Sequence, residues 1–257
     1  MQQPIQQLRG KTALISGAGR NIGRQIALTF AREGADLILL SRQAREELDE
    51  TARECEGLGV KALPVIADVA RKDDVDRAVR QGLERFGKID VLVNVVGLRP
   101  HKSFLDMAFE EWQSGFDVNC HSLFHLAKAV IPGMMERRGG SIIALGGQSA
   151  VRPSNHGSVV TASKHAEWGL IKSLALEFGP YGIRANMVNP GLIDTERRNP
   201  EWYKEGTPVN PARLEKTPLR RTGNPQEVAN VVLFLASDQS SYITGDRIMA
   251  VGGAYMG

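Results

Sequence analysis

Seven short β-rich runs mark the chain, several of them apolar at nearly every position: TALIS (12–16), DLILL (36–40), KALPVIA (61–67), DVLVNVV (90–96), SIIAL (141–145), IRANMVN (183–189) and RIMAV (247–251). A strand with one wet face alternates apolar and polar residues, whereas an unbroken apolar run of this length predicts a strand covered on both faces. Between the runs lie stretches with helical spacing: IGRQIALTFAREG, QAREELDETARECEG, KDDVDRAVRQGLERFG, FEEWQSGFDVNCHSLFHLAKAVIPGMMERRG, SKHAEWGLIKSLALEFGPYG and NPQEVANVVLFLASD. Strand–helix alternation at this spacing means right-handed crossovers and a parallel sheet. The expectation is α/β: one Rossmann-type doubly wound domain over residues 1–257, about seven strands flanked by helices. Gly34, Gly57, Gly87, Gly139 and Gly179 follow the helical stretches, where a left-handed residue is easiest for glycine. Asn224 before Pro225 predicts a helix start, with an N-cap and proline at the first helical position. Residues 192–223 lack a strand pattern and are rich in Pro, Gly and charge, which predicts a substrate lid or binding loop.

The chain has 257 residues, 42% hydrophobic and 24% charged, which suits a single globular domain with a full-size core. A net charge of +3 gives no reason to expect nucleic acid. Cys55 and Cys120 have neither CxxC spacing nor histidines at metal-site spacing, so free thiols in a reducing compartment and no metal are expected. The start MQQPIQQLRGK lacks the apolar run of a signal peptide, and no stretch approaches the roughly 20 apolar residues of a membrane span. A cytoplasmic protein, without a membrane partner, is the expectation.

Candidate chemistry begins after the first strand, with SGAGRNIGR. Gly17, Gly19 and Gly23 stand at a strand-to-helix turn, where they let backbone approach a pyrophosphate and leave helix N–H groups free to bind it. Arg20, Asn21 and Ile22 complete the loop. An acid after the second strand would bind the adenosine ribose of NAD, but this chain has Ser41 and Arg42 there. With Arg20, Arg42 can grip a 2′-phosphate through charge-assisted hydrogen bonds, which favours NADP(H) over NAD(H). The alternative is that Arg42 is simply a solvated charge at a helix start. Asp68 and Val69 are placed to meet the adenine edge, and Asn94 and Gly97 to line the cleft, because ligands of such sheets sit at the carboxyl ends of the strands.

With these pieces in order, the chain resembles the short-chain dehydrogenase/reductase family over nearly its whole length. The matching motifs are SGAGRNIG, DV at 68–69, NVVG at 94–97, Asn119, the SK of TASK with Lys164, and Asn189-Pro190-Gly191. The resemblance implies a nicotinamide cofactor, with Pro190, Gly191 and Ile193 along it and Lys164 on its ribose. It also implies a homotetramer or homodimer built on the long helices around 109–137 and 158–178.

The family's chemistry uses Asn, Ser, Tyr and Lys, and the resemblance assigns Asn119 and Lys164 to two of these roles: Asn119 would hold a water and Lys164 would lower the pKa of the acid. The tyrosine position, four before the lysine, is Val160, and the serine position is Gly147. Loss of a positioned acid typically lowers rates by about 10²–10⁴. Ser149 lies two residues beyond Gly147. His156 and His101 flank the expected cleft, and a histidine is a competent acid near neutral pH. Arg99, Lys102 and Arg152 add positive charge at the cleft mouth, as do Arg197, Arg198, Lys204, Arg213, Lys216, Arg220 and Arg221 in the lid. This rim would suit an anionic small-molecule substrate, or it is merely an exposed charged loop. Three functions stay open: an atypical NAD(P)-dependent oxidoreductase on a carbonyl or alcohol, a lyase or C–C-cleaving enzyme, and a non-catalytic NADP(H)-binding protein.

Overall fold

The structure, a computed structural model, describes residues 6–196 and 211–256. All seven expected strands form: β1 (Thr12–Ser16), β2 (Asp36–Ser41), β3 (Ala62–Ile66), β4 (Val91–Asn94), β5 (Gly140–Leu145), β6 (Ile183–Pro190) and β7 (Arg247–Ala250). They make one sheet in the order β3-β2-β1-β4-β5-β6-β7, and every pairing is parallel. Alternate residues of β1 face opposite layers. Ala13 and Ile15 join a core with helices α1 (Asn21–Arg32), α2 (Arg45–Gly57) and α8 (Pro225–Ala236). Leu14 joins a second core with α3 (Lys72–Phe86), α5 (Ser122–Glu136) and α6 (Ser158–Phe178). Helices on both faces explain why the strands read as continuous apolar runs.

The chain winds from β1 through β2 to β3 on one side, then crosses back to lay β4 against the other side of β1. That reversal opens a crevice at the carboxyl ends of β1 and β4, where Ser16 and Asn94 are register partners. The motif residues collect along this edge.

Two local expectations need correction. The stretch from 109 to 139 is not one helix: α4 (Phe109–Phe116) and α5 are joined by a π turn at Asp117–His121. A π turn admits an extra residue and re-aims the side chains it carries; this one contains the fully buried Asn119. The left-handed residues at helix exits also differ in part. Gly34 and Gly87 adopt positive φ, but Gly57 ends α2 itself and the turn falls at Gly59. A 3₁₀ turn continues from Gly179, so Gly182 is the left-handed residue there, and Arg138 rather than Gly139 takes positive φ. Asn224 does cap α8, accepting from the Glu227 N–H at 3.0 Å, while Glu227 accepts from the Asn224 N–H.

The two ends of segment 192–223 pair with each other: Asp194 donates to the Gly223 carbonyl at 2.8 Å and Gly223 donates to the Leu192 carbonyl at 2.9 Å. A short helix, α7 (Pro211–Glu215), lies between them. Arg197, Arg198 and Lys204 of the expected lid lie outside the described residues, as does the side chain of Arg213. No helix among the described residues is long and apolar enough to cross a membrane.

Candidate functional site

The glycine loop is built for close backbone packing. Gly17 has φ +67, and Asn21, at φ +51, is a non-glycine residue in the same region. A Cβ on Gly23 would lie 2.0 Å from the Gly17 carbonyl oxygen, so only glycine lets α1 start this close to β1. No side chain caps the N-terminus of α1, and its first turn holds no acid. The free N–H groups and the positive end of the helix dipole therefore face the crevice unopposed, which fits a pyrophosphate. Asn21 does more than shape the loop. Its amide donates to the Glu196 carbonyl at 3.0 Å and accepts from the Glu196 N–H at 3.1 Å, tying the start of the expected lid to the loop.

Ser41 ends β2, and Arg20 and Arg42 are both exposed. The Asp68 carboxylate accepts from the Ala70 N–H at 3.1 Å, shaping the turn after β3, while Val69 is buried in the core. Gly97 follows β4 near Asn119, and a Cβ on Gly191 would lie 2.8 Å from the Val251 Cα. Pro190, Gly191 and Ile193 continue from β6, and Gly191 donates to the Ala250 carbonyl at 2.9 Å.

Behind the crevice lies a buried polar cluster. Asn94 is fully buried; it accepts from the Ser16 hydroxyl at 2.8 Å and donates to Ser122 at 3.0 Å and to the Glu167 carboxylate at 3.3 Å. Its side chain therefore braces the strand ends rather than lining the cleft. Asn119 accepts from the Leu98 N–H at 2.7 Å and donates to the Leu98 carbonyl at 2.9 Å and to Ser163 at 2.9 Å. Both of its N–H donors are spent on protein, so it holds the loop after β4 in place. Lys164, only 3% exposed, donates to the Leu145 carbonyl at 2.7 Å and to Glu167 at 2.8 Å. Two of its three ammonium donors thus point into the protein. Glu167 is 0% exposed, and burial pushes its carboxyl up to about 7 despite the opposing pull of Lys164.

The profile of a family described as Enoyl-(Acyl carrier protein) reductase matches residues 17–255. A 3-oxoacyl-(acyl-carrier-protein) reductase, FabG, of Thermotoga maritima is 37% identical over 96% of this chain and 98% of its own length. The chain belongs to the short-chain dehydrogenase/reductase family, a family of oxidoreductases. The fold agrees: a short-chain type dehydrogenase/reductase from Mycobacterium marinum superposes with TM-score 0.90 at 35% identity, over 98% of both chains. A 7α-hydroxysteroid dehydrogenase complexed with NADH and 7-oxo glycochenodeoxycholic acid superposes with TM-score 0.89 at 30% identity, again over 98% of both.

Within this family fold, Val160 is 7% exposed on the first turn of α6, one turn before Lys164. Gly147, at φ 96 and ψ 173, occupies a backbone region essentially restricted to glycine. Ser149 is half-buried in the 3₁₀ turn Gln148–Ala150, which packs against α6. His156 is exposed at φ +57; its ring centroid lies 5.6 Å from that of His101, and its carbonyl accepts from the Lys102 N–H at 3.0 Å. The two loops at the cleft mouth are thereby joined, while Lys102 is drawn off to Glu111. Among the described residues no cluster could hold a metal.

Sequence reasoning missed Glu167 and the serines of the buried cluster. A lysine and a glutamate three apart on a helix normally make a surface pair; the available signal was that Glu167 shares a helix face with Val160 and Lys164, which the motif placed inward.

Proposed function

We propose that this protein is an NADP(H)-dependent oxidoreductase acting on a carbonyl or alcohol, working without the family's tyrosine acid. The observation that carries the reading is the glycine loop at the uncapped start of α1, on the carboxyl edge of β1, with Arg20 and Arg42 exposed beyond it. Gly17, Gly19, Arg20, Asn21, Ile22 and Gly23 hold the pyrophosphate, and Ser41, Arg20 and Arg42 the adenosine 2′-phosphate. Asp68 and Val69 border the adenine, while Gly97, Pro190, Gly191 and Ile193 wall the cleft. The nicotinamide, when bound, supplies or accepts a hydride. Asn94 and Asn119 fix the ends and loops around that space, and water or His156 supplies the proton that Val160 cannot. The family resemblance supports a cytoplasmic homotetramer or homodimer acting on a small molecule.

One observation favours the reading in which the protein binds the nucleotide without turnover: the Lys164 ammonium is engaged by Glu167 and Leu145. Calorimetric titration with NADPH and NADH, followed by a carbonyl and alcohol panel monitored by nicotinamide absorbance, separates the two. Tight NADPH binding with absorbance change supports the oxidoreductase, and tight binding without turnover supports the binder. Binding of neither nucleotide rejects both.

A further inference from the structure

Glu167 belongs to none of the motifs that define the site, yet both of its carboxylate oxygens are held. One accepts from Lys164 at 2.8 Å and the other from Asn94 at 3.3 Å. Asn94 in turn accepts from Ser16 at the end of β1, and Lys164 donates to Leu145 at the end of β5. The carboxylate therefore joins three strand ends to the helix that carries the lysine. Lys164 is its charged neighbour. The π turn contributes Cys120, whose thiol is pushed up to about 11, first by burial and then by the Glu167 charge, and so stays neutral at physiological pH. β1, β4 and α5 contribute Ser16, Asn94 and Ser122, none of which titrates.

An ammonium group has three donors. With two committed to the protein interior and almost no exposed surface, Lys164 cannot at the same time turn both donors of a bidentate grip toward ribose hydroxyls in the crevice. The carboxylate and a bound nucleotide compete for the same cation, and the carboxylate holds it best when charged.

We propose that Glu167 is a positioning residue that keeps the Lys164 ammonium inside the protein and releases it toward a bound nucleotide when Glu167 takes up a proton. This rests on the nucleotide reading above. Burial places the carboxyl near neutrality, within reach of small pH changes.

The test is calorimetric titration of the full chain with NADH at about pH 6 and about pH 8.5, on either side of the Glu167 value of about 7. NADH is chosen because it lacks the 2′-phosphate, whose own titration falls in the same range. One charge-assisted hydrogen bond is worth about tenfold in affinity at its low end. The wild type is expected to bind about tenfold more tightly at the lower pH. Glu167→Gln is expected to bind with the tighter constant at both. Lys164→Met, which leaves Glu167 neutral and needs no new buried charge, is expected to bind equally at both and serves if the first variant fails to fold. A slope that survives in either variant belongs to another group and overturns the proposal. A wild type with no slope overturns it as well. Absence of NADH and NADPH binding at every pH would instead reject the nucleotide reading, and this inference with it.

Discussion

The buried Glu167 carboxyl predicts an unusual pH dependence of stability. Its value rises from an ordinary 4.5 to about 7 because the charged form is removed from water and one ammonium, shared with a carbonyl, does not fully replace the lost hydration. A carboxyl raised in the folded state holds its proton more tightly there than in the unfolded chain. Its contribution is constant below pH 4.5, turns unfavourable as pH climbs toward 7, and levels off above that. Each tenfold in proton affinity is worth about 1.4 kcal/mol, so the full swing is up to about 3 kcal/mol. The perturbation is Glu167→Gln, which keeps the shape but cannot titrate. Urea unfolding of both proteins at intervals from pH 5 to pH 8 isolates the effect, because other groups contribute equally to each curve. Relative to wild type, the variant should gain stability steadily from pH 5 to 8, by up to about 3 kcal/mol. Parallel curves, or a wild type that gains on the variant as pH rises, would refute the reasoning that burial outweighs the ion pair.

Other outcomes follow from single contacts. Arg42→Ala should weaken NADPH binding by about tenfold or more, the worth of a charge-assisted hydrogen bond, and leave NADH nearly unchanged; equal losses in parallel titrations would remove the basis for the NADP(H) assignment. Gly23→Ala places a methyl 2.0 Å from the Gly17 carbonyl oxygen, so it should abolish binding of either nucleotide and lower the melting temperature; retained affinity would show that the loop is not the phosphate site. Asn224→Ala removes the cap of α8 and should lose about 1 kcal/mol in denaturant unfolding without changing nucleotide affinity.

The sheet was legible because its inner strands, β1, β2, β4, β5 and β6, are covered on both faces, so their burial is written as largely apolar runs that need no tertiary information. The glycine loop was legible for a similar reason: φ +67 at Gly17 and the tight approach at Gly23 are local backbone demands that only glycine meets. Helix exits were less so. Whether a chain turns at Gly57 or Gly59 depends on a last turn that packing decides, and Arg138 takes a conformation for which a glycine stood next in line. The polar cluster was hidden for a deeper reason. Asn94, Asn119 and Lys164 were read as facing the crevice because their motif positions lie beside it. Their hydrogen bonds reach residues 28 to 78 positions away for Asn94, and 44 for the contact of Asn119 with Ser163. No spacing rule reports such partners. Glu167 was overlooked because an i,i+3 pair carries the same letters on a wet surface as in a dry core.

These contacts change what Val160 and Gly147 mean. Taken as two missing side chains, they invite restoration of a hydroxyl at each position around a waiting lysine. The geometry argues otherwise. At φ 96 and ψ 173 a serine at 147 would be strained by about 1–3 kcal/mol or would rebuild the loop, so a hydroxyl cannot simply be added there. A tyrosine at 160 would meet a lysine whose charge is already spent on Glu167, and a phenol near pH 7 becomes an effective acid–base only when a cation lowers its pKa. A carboxylate that withdraws the lysine removes the advantage of a tyrosine at 160. Val160→Tyr alone is expected to give no measurable gain in NADPH consumption over a carbonyl panel. Val160→Tyr with Glu167→Val, which frees the lysine, is expected to exceed it by at least tenfold, the low end of what a positioned acid contributes being about 10². Equal gains from the single and double variants would mean that Lys164 is free to serve the crevice in spite of Glu167, and that the valine alone sets the site apart.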